Sequence, residues 1–274
     1  MYEEPYRWVE AVSNRRTYLD EQFKQGSPVV ALAYDGGLLL TTVSKGTPKL
    51  YEIYDRIALA GMGHPADLEK LRFSLLEMAH TEGFNRSPSD VTGARLVKYG
   101  IAPVIKQAFE EVFKAPFIVK ILLAELRQKR EKDAFLTINY DGTFEETTAY
   151  AVLAATPTIQ KEMTDYLRQE TGSALSLEQA VGIALRTWAL GDRAQQQAVE
   201  ESNQSDETNK SSRAAALPID AASLLAHLRS SVGEKMIECA LLERNYPGTS
   251  KYRALKPDEL GRFLPTDLRP PVTE

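Results

Sequence analysis

Side chains that could do chemistry are sparse in this chain and scattered along it. Its three histidines, His64, His80 and His227, fall on different stretches with no ligand-like spacing between them. Neither a metal site nor a serine triad has support from such an arrangement. Cys239 is the only cysteine, so an internal disulfide is excluded and nothing implies an oxidising compartment. It lies within the apolar run Met236 to Leu242, where a thiol reads as a buried core residue rather than a nucleophile. Thr41 and Thr42 pair two hydroxyls, but they stand at the end of an apolar run and read as ordinary strand threonines. Lys49 opens another apolar segment and, taken alone, reads as a solvated lysine at a strand start.

The 274 residues, 43% of them hydrophobic, are enough for one sizeable core, and we expect a single globular domain with tails. A net charge of -5 argues against a nucleic-acid partner, which needs clustered positive charge. The one basic cluster, Arg127 to Lys132, sits between two apolar runs and reads as a solvated loop. Met1 to Pro5 has neither the basic n-region nor the apolar h-region of a leader. No apolar run approaches the ~18 residues of a membrane span. The expectation is a cytoplasmic protein with no membrane and no nucleic-acid partner.

The elements that must carry these residues are legible from apolar period and punctuation. Trp8, Val12, Leu19 and Phe23 recur at helical spacing before Gly26, giving an amphipathic leading helix. Val29–Tyr34 and Leu38–Val43 flank Asp35-Gly36-Gly37, and Lys49–Tyr54 and Ile57–Gly63 flank Asp55-Arg56. These read as two consecutive hairpins in one buried sheet. A helix starts at Pro65 and ends near Gly83, and a second, capped by Asp90, runs to Phe113 with a kink at Pro103. Phe117–Leu126, Ala134–Tyr140 and Tyr150–Ala154 read as strands of a second sheet. Helices follow from Thr156-Pro157 and from the capping box Ser176-Leu177-Glu178-Gln179. Asp192 to Ala216 is too polar to offset its ordering entropy except near its start, and Ile219–Arg229 is a short amphipathic helix. Lys235–Arg244 and Tyr252–Leu255 form a closing hairpin, and a last helix starts at Lys256-Pro257.

The four-strand opening, with Lys49 at the start of its third strand and Gly63 closing the fourth before a helix, resembles the proteasome subunit family. Val29–Gly37 (VVALAYDGG), Leu50–Arg56 (LYEIYDR) and Asp90–Gly93 (DVTG) are most similar to alpha-type subunits of the bacterial, actinobacterial-like branch. The resemblance extends from about Tyr6 to Leu264, with an interruption after Gly191. It implies an α+β fold, a four-layer αββα sandwich of the N-terminal-nucleophile hydrolase type, which the order of elements alone would not give. Together with the composition read above, it gives five segments: 1–25 as gate segment and leading helix, 26–191 as core, 192–233 as a disordered or partly helical insertion, 234–264 as closing hairpin and helix, and 265–274 as tail.

In beta-type subunits the first residue after processing is the nucleophile, served by its own amine, an acidic residue after the second strand and a lysine on the third. Registered on that pattern, Ser27 takes the nucleophile position, Val43 the acidic position and Lys49 the lysine position. Only the lysine survives in full, so the resemblance points to a non-catalytic alpha-type subunit without cofactor or metal. The alternative is a self-processing N-terminal-nucleophile peptidase or amidohydrolase acting through Ser27; a third reading is a lone adaptor ring. For the alpha-type reading the partners implied are copies of the chain in a heptameric ring, beta-type subunits, a AAA+ ATPase and unfolded or tagged protein substrates in transit. Val12, Leu19 and Phe23 then belong to the ring-contact helix, and Tyr2, Tyr6 and Trp8 to the gate. Lys49 would line a pocket that takes the ATPase C-terminal carboxylate, with Gly26 and Gly63 as pocket glycines and His64 replacing an apolar neighbour. The tyrosine, aspartate and proline cluster of archaeal and eukaryotic gates is not recognisable in Met1 to Thr17, although Tyr18 falls at its last tyrosine position.

Overall fold

The computed structural model describes residues 4–111, 113–128, 133–172, 174–204, 220–233 and 235–264. A leading helix α1 (Glu4–Phe23) is followed by strands β1 (Val29–Tyr34), β2 (Gly37–Ser44), β3 (Leu50–Tyr54) and β4 (Ile57–Gly63). Next come α2 (Pro65–Asn85), a 3-10 turn, α3 (Gly93–Arg95), a π-helical stretch Leu96–Ile101 and α4 (Ala102–Glu110). Strands β5 (Val119–Glu125), β6 (Ala134–Ile138), β7 (Phe144–Thr147) and β8 (Tyr150–Leu153) lead to helices α5 (Pro157–Glu170), α6 (Leu177–Gln204) and α7 (Ala221–Val232). The chain closes with β9 (Met236–Glu243), β10 (Tyr252–Ala254) and α8 (Pro257–Phe263).

These strands make two antiparallel five-stranded sheets, ordered β10-β9-β2-β1-β8 and β3-β4-β5-β6-β7. Strand alternation sorts the apolar residues into three layers. Val30, Leu32, Leu39 and Leu241 pack outward from the first sheet against α5, α6, α7 and α8. Ala31, Leu38 and Leu40 pack inward against Ala60, Met62 and Leu122 of the second sheet. Leu59, Ile121 and Leu123 face out from the second sheet against Leu71 and Leu75 of α2 and Ile105 of α4. Helices, sheet, sheet and helices in that order are the four-layer α+β sandwich that the sequence resemblance implies.

Several elements differ from the sequence expectation. The two opening hairpins do not share a sheet. Both free edges of the first hairpin are filled from elsewhere: all eight residues of β2 pair with β9, and β1 pairs with β8. The link Ser44 to Lys49, with Gly46 at φ 105° and Pro48, carries the chain across to the second sheet instead. For the same reason Tyr150–Leu153 joins the first sheet and not the second. Its expected place is filled by β7, whose Phe-Glu-Glu-Thr sequence has an exposed face on every residue and no apolar alternation to reveal it.

Thr92, not Asp90, caps the helix after Asn85, its hydroxyl accepting the Arg95 N–H at 3.4 Å; Asp90 ends a 3-10 turn capped by Ser87. The kink expected from Pro103 takes the form of the π-helical stretch just before it, where the Ala102 N–H reaches back to the Val97 carbonyl. One widened turn removes the hydrogen bond a proline cannot make. The capping box at Ser176 forms as read: the Ser176 N–H donates to Gln179 Oε1 at 3.0 Å and the Gln179 N–H to Ser176 Oγ at 3.3 Å. From there α6 runs well past Gly191, and Asp192, Arg193 and Gln195 are buried, so core structure continues into the segment assigned to an insertion. Residues 205–219, where most of that segment falls, lie outside the described residues, as does the tail 265–274.

Candidate functional site

The junction between α1 and β1 decides what Ser27 can do. Gly26 N–H caps the end of α1 on the Phe23 carbonyl at 2.9 Å. Gln195 of α6 then holds the carbonyls of Lys24 and Gly26 through Nε2, at 2.9 and 2.5 Å. The Ser27 hydroxyl accepts the indole N–H of Trp188 at 3.0 Å, facing the α6 layer, and Thr42 Oγ1 donates to the Pro28 carbonyl at 2.7 Å. Val43, at the acidic position, is a buried member of the outer core. Ser27 therefore has its amine in a peptide bond, its oxygen engaged by an indole and an apolar neighbour where a carboxylate would stand. Thr41 and Thr42 are fully buried strand residues, Thr41 lying 3.4 Å from Cys239 Sγ. Burial pushes the Cys239 thiol up to about 12, which leaves it inert at neutral pH.

Lys49 is placed differently. Its carbonyl accepts the Gly61 N–H at 3.0 Å, fixing it beside β4, and its own N–H donates to Glu238 Oε2 of β9 at 3.0 Å. Burial lowers the proton affinity of its ammonium, Glu238 raises it again, and Lys45 and Lys235 lower it further. Glu238 thus stabilises the Lys49 charge, while burial and the neighbouring Lys45 and Lys235 oppose it.

Gly26 and Gly63 are both closely packed, Gly26 against Met62 and Gly63 against Ile118. A Cβ on Gly26 would sit 2.6 Å from Met62 Cε, and Gly63, at φ 129°, would put a Cβ 2.0 Å from the Ile118 carbonyl oxygen. Only glycine fits at Gly63. The chain next makes the Ile118 carbonyl an acceptor for the His64 N–H at 2.7 Å, and His64 caps α2, its Nδ1 accepting from the Ala66 N–H at 3.3 Å. The imidazole lines a separate groove with Tyr18, Val104 and Phe117, so His64 is a helix cap and is not gathered into the Lys49 cluster.

The assignment of Val12, Leu19 and Phe23 to a neighbour contact needs correction. Leu19 and Phe23 have no exposed surface and pack, with the partly buried Val12, into the layer between this chain's own sheets. Phe23 stacks on Tyr140 at 5.8 Å between centroids. Among the described residues, the exposed large apolar side chains of α1 are Trp8, Val9 and Tyr18. Tyr2 and the side chain of Tyr6 lie outside the described residues.

Two further residues that the sequence did not single out hold this region. Arg15 donates to four carbonyls at and beyond the end of α4, those of Ala108 (3.0 Å), Phe109 (2.9 Å), Glu111 (2.6 Å) and Lys114 (2.6 Å). Lys120 is buried, its Nζ donating to the carbonyls of Ala154 (2.8 Å) and Ala155 (2.9 Å) and lying 4.8 Å from the Phe23 ring centroid. Burial draws its pKa down to about 8 against the pull of Asp20 and Asp141. A lysine inside the apolar run Phe117–Leu126 was the available signal. Among the described residues, no group of three or more His, Cys, Asp or Glu side chains is placed to hold a metal, and no helix is long and apolar enough to cross a membrane.

Comparison with known proteins bears on the same region. Residues 23–200 match the family model described as proteasome subunit. The proteasome subunit alpha of Saccharopolyspora erythraea is 32% identical over 169 residues, which cover 61% of this chain and 64% of that protein. That of Actinosynnema mirum is 30% identical over 181 residues (65% and 66%), and that of Mycolicibacterium vanbaalenii 30% over 186 residues (66% and 71%). The chain thus spans a little under two thirds of the length of the first two. With a four-layer sandwich, a glycine-closed β4 and a match over residues 23–200, the chain belongs to the proteasome subunit family, on the side of the alpha-type subunits of actinobacteria.

Proposed function

We propose that this chain is a non-catalytic alpha-type subunit of a bacterial proteasome core. Copies form a heptameric outer ring in the cytoplasm, stack on rings of beta-type subunits that carry the nucleophile, and dock a AAA+ ATPase that feeds unfolded or tagged proteins. Lys49, with Gly26 and Gly63, receives the C-terminal carboxylate of the ATPase, while His64 serves as the cap of α2 outside that pocket. Tyr2, Tyr6 and Trp8 gate the entry, and the neighbour contact falls to the outward residues of α1.

The observation that carries this reading is the continuous α1–β1 junction. A helix whose Leu19 and Phe23 are core residues, followed by a clamp from Gln195 and Trp188, is not a propeptide placed for removal. Co-expression with a beta-type subunit, followed by intact mass and peptidase assay, tests it. The chain is expected to keep Tyr2 to Gly26, and the assembled complex to lose no peptidase activity on Ser27→Ala. Cleavage before Ser27, together with loss of activity in that variant, would favour the self-processing hydrolase instead.

A further inference from the structure

Strand β8 packs over β5 and β6, so β7 lies beyond the edge of the first sheet. Every residue of β7 is exposed. Helix α5, entered directly after β8, stands beside this overhang, and a cavity of about 530 Å³ lies between them. Strands β5, β6 and β7 contribute Lys120, Thr137 and Glu145 to it, and α5 contributes Gln160, Lys161 and Arg168. Alternation puts the first three on the inner face of the second sheet. Leu122 and Ala124, which share the parity of Lys120, pack between the sheets, as does Phe135, which shares the parity of Thr137; Glu145 is directly opposite Thr137.

Lys120 is only 5% exposed. Two of its three donors go to the carbonyls of Ala154 and Ala155. Carbonyls solvate a charge without neutralising it, and among the described residues no carboxylate forms an ion pair with this ammonium. Asp20 and Asp141 favour its charge from farther off, and burial outweighs them. A buried charge is as a rule paired. The Thr137 hydroxyl, Asn139 Nδ2 and the Gln160 side-chain amide line the same cavity and have no hydrogen-bond partner among the described residues. The charged lining is Lys120, Lys161 and Arg168 against Glu145 and Asp165, one cation in excess, with Arg168 and Asp165 paired at 3.0 Å.

We propose that this cavity binds a small monocarboxylic acid, whose carboxylate serves as counter-ion to Lys120 and whose apolar body lies against Phe144, Leu153 and Pro157. All three of those residues line the cavity. One negative charge matches the one cation in excess, whereas a phosphate or a second carboxyl group would add repulsion from Glu145, Asp20 and Asp141. The unengaged donors of Thr137, Asn139 and Gln160 suit the lone pairs that a carboxylate has left after meeting an ammonium. The volume falls within the ~300–1,000 Å³ of small-molecule sites, and a lone halide would leave most of it unfilled.

NMR of the full chain, with its lysines labelled at Cε and Lys120 assigned by its loss in Lys120→Met, tests this. Sodium benzoate is the probe, sodium chloride at equal ionic strength the salt control, and benzamide the uncharged isostere. Benzoate is expected to raise the proton affinity of Lys120 roughly tenfold or more, as a close opposite charge does, while chloride and benzamide leave it unchanged. By linkage, benzoate binding should weaken from about pH 7.5 to about 10, as Lys120 loses its proton. Lys161→Ala, an exposed change that leaves Lys120 in place, should weaken benzoate binding several-fold with the fold intact. A Lys120 titration indifferent to benzoate, or moved equally by benzamide, would overturn the proposal, as would benzoate binding independent of pH. A titration that moves with protein concentration instead would assign the cavity to a second copy of the chain and overturn the small-acid site.

Discussion

A carboxylate arriving beside Lys49 would meet an ammonium disfavoured by burial, Lys45 and Lys235 and favoured by Glu238. Adding negative charge there relieves repulsion as well as making a hydrogen bond. Lys49→Ala is expected to leave rings intact and to weaken binding of an ATPase C-terminal peptide by roughly 10- to 150-fold per site, the equivalent of about 1.5–3 kcal/mol. Unchanged affinity in a peptide-binding assay would leave Lys49 a bystander. Lys120 carries a pH signature. Below pH 8 it is charged in the folded and unfolded chains alike, and the cost of burying that charge is present in full. Between pH 8 and the ordinary value of 10.5 the unfolded chain holds the proton and the folded chain does not, so stability rises with pH. The rise is about 3 kcal/mol across the window. Urea denaturation at pH 7.5 and 10 should show it, and Lys120→Met should remove it. From sequence, Gly26, Gly63 and Lys49 were singled out through the family resemblance, which rests on the order of the strands. Glu238 was not, because its partner is a backbone N–H 189 residues away.

The family resemblance, not the apolar stripe itself, assigned α1 to a neighbour contact, and the stripe is part of this chain's own core. Period alone gives which residues share a face; it cannot say whose core that face enters. What fixes the answer is Arg15, whose guanidinium satisfies carbonyls that the end of α4 leaves without intrahelical partners. Arg15→Ala is expected to cost about 1.5–3 kcal/mol in a denaturation assay on the unassembled chain, since charged donors are removed from several acceptors. A loss seen only in the assembled ring would mean that the helix is held by its neighbour after all. The same logic predicts that deletion through Phe23 destabilises the single chain. Some local signals read correctly, as with the reciprocal Ser176–Gln179 cap, whereas the Asp90 cap gave way to Thr92 two residues on. Strand assignments failed where pairing was long-range, as with β8, or where a strand had no buried face, as with β7.

At the scale of the molecule, the proposed assembly leaves the N-terminal segment near the entrance. Removing Met1 to Arg7 keeps the buried part of α1 and takes away aromatic residues that would converge when several copies meet on an axis. The complex with beta-type rings should then degrade an unfolded protein faster, with a smaller change for short peptides; equal protein-degradation rates would refute the gate. The fold class was legible through resemblance more than through pattern, because two sheets that exchange strands look alike when only apolar runs are read. That exchange has a bearing on biosynthesis. The second sheet has its strands in sequence order and is complete once the ribosome has passed Thr147. The first waits for β9, the partner of β2 along eight residues, and β9 is synthesised only after Met236. Until then the nascent chain presents β2, apolar on both faces, as an open edge. Slow, non-local closure of this kind marks the interval in which the unfinished subunit most needs protection from aggregation.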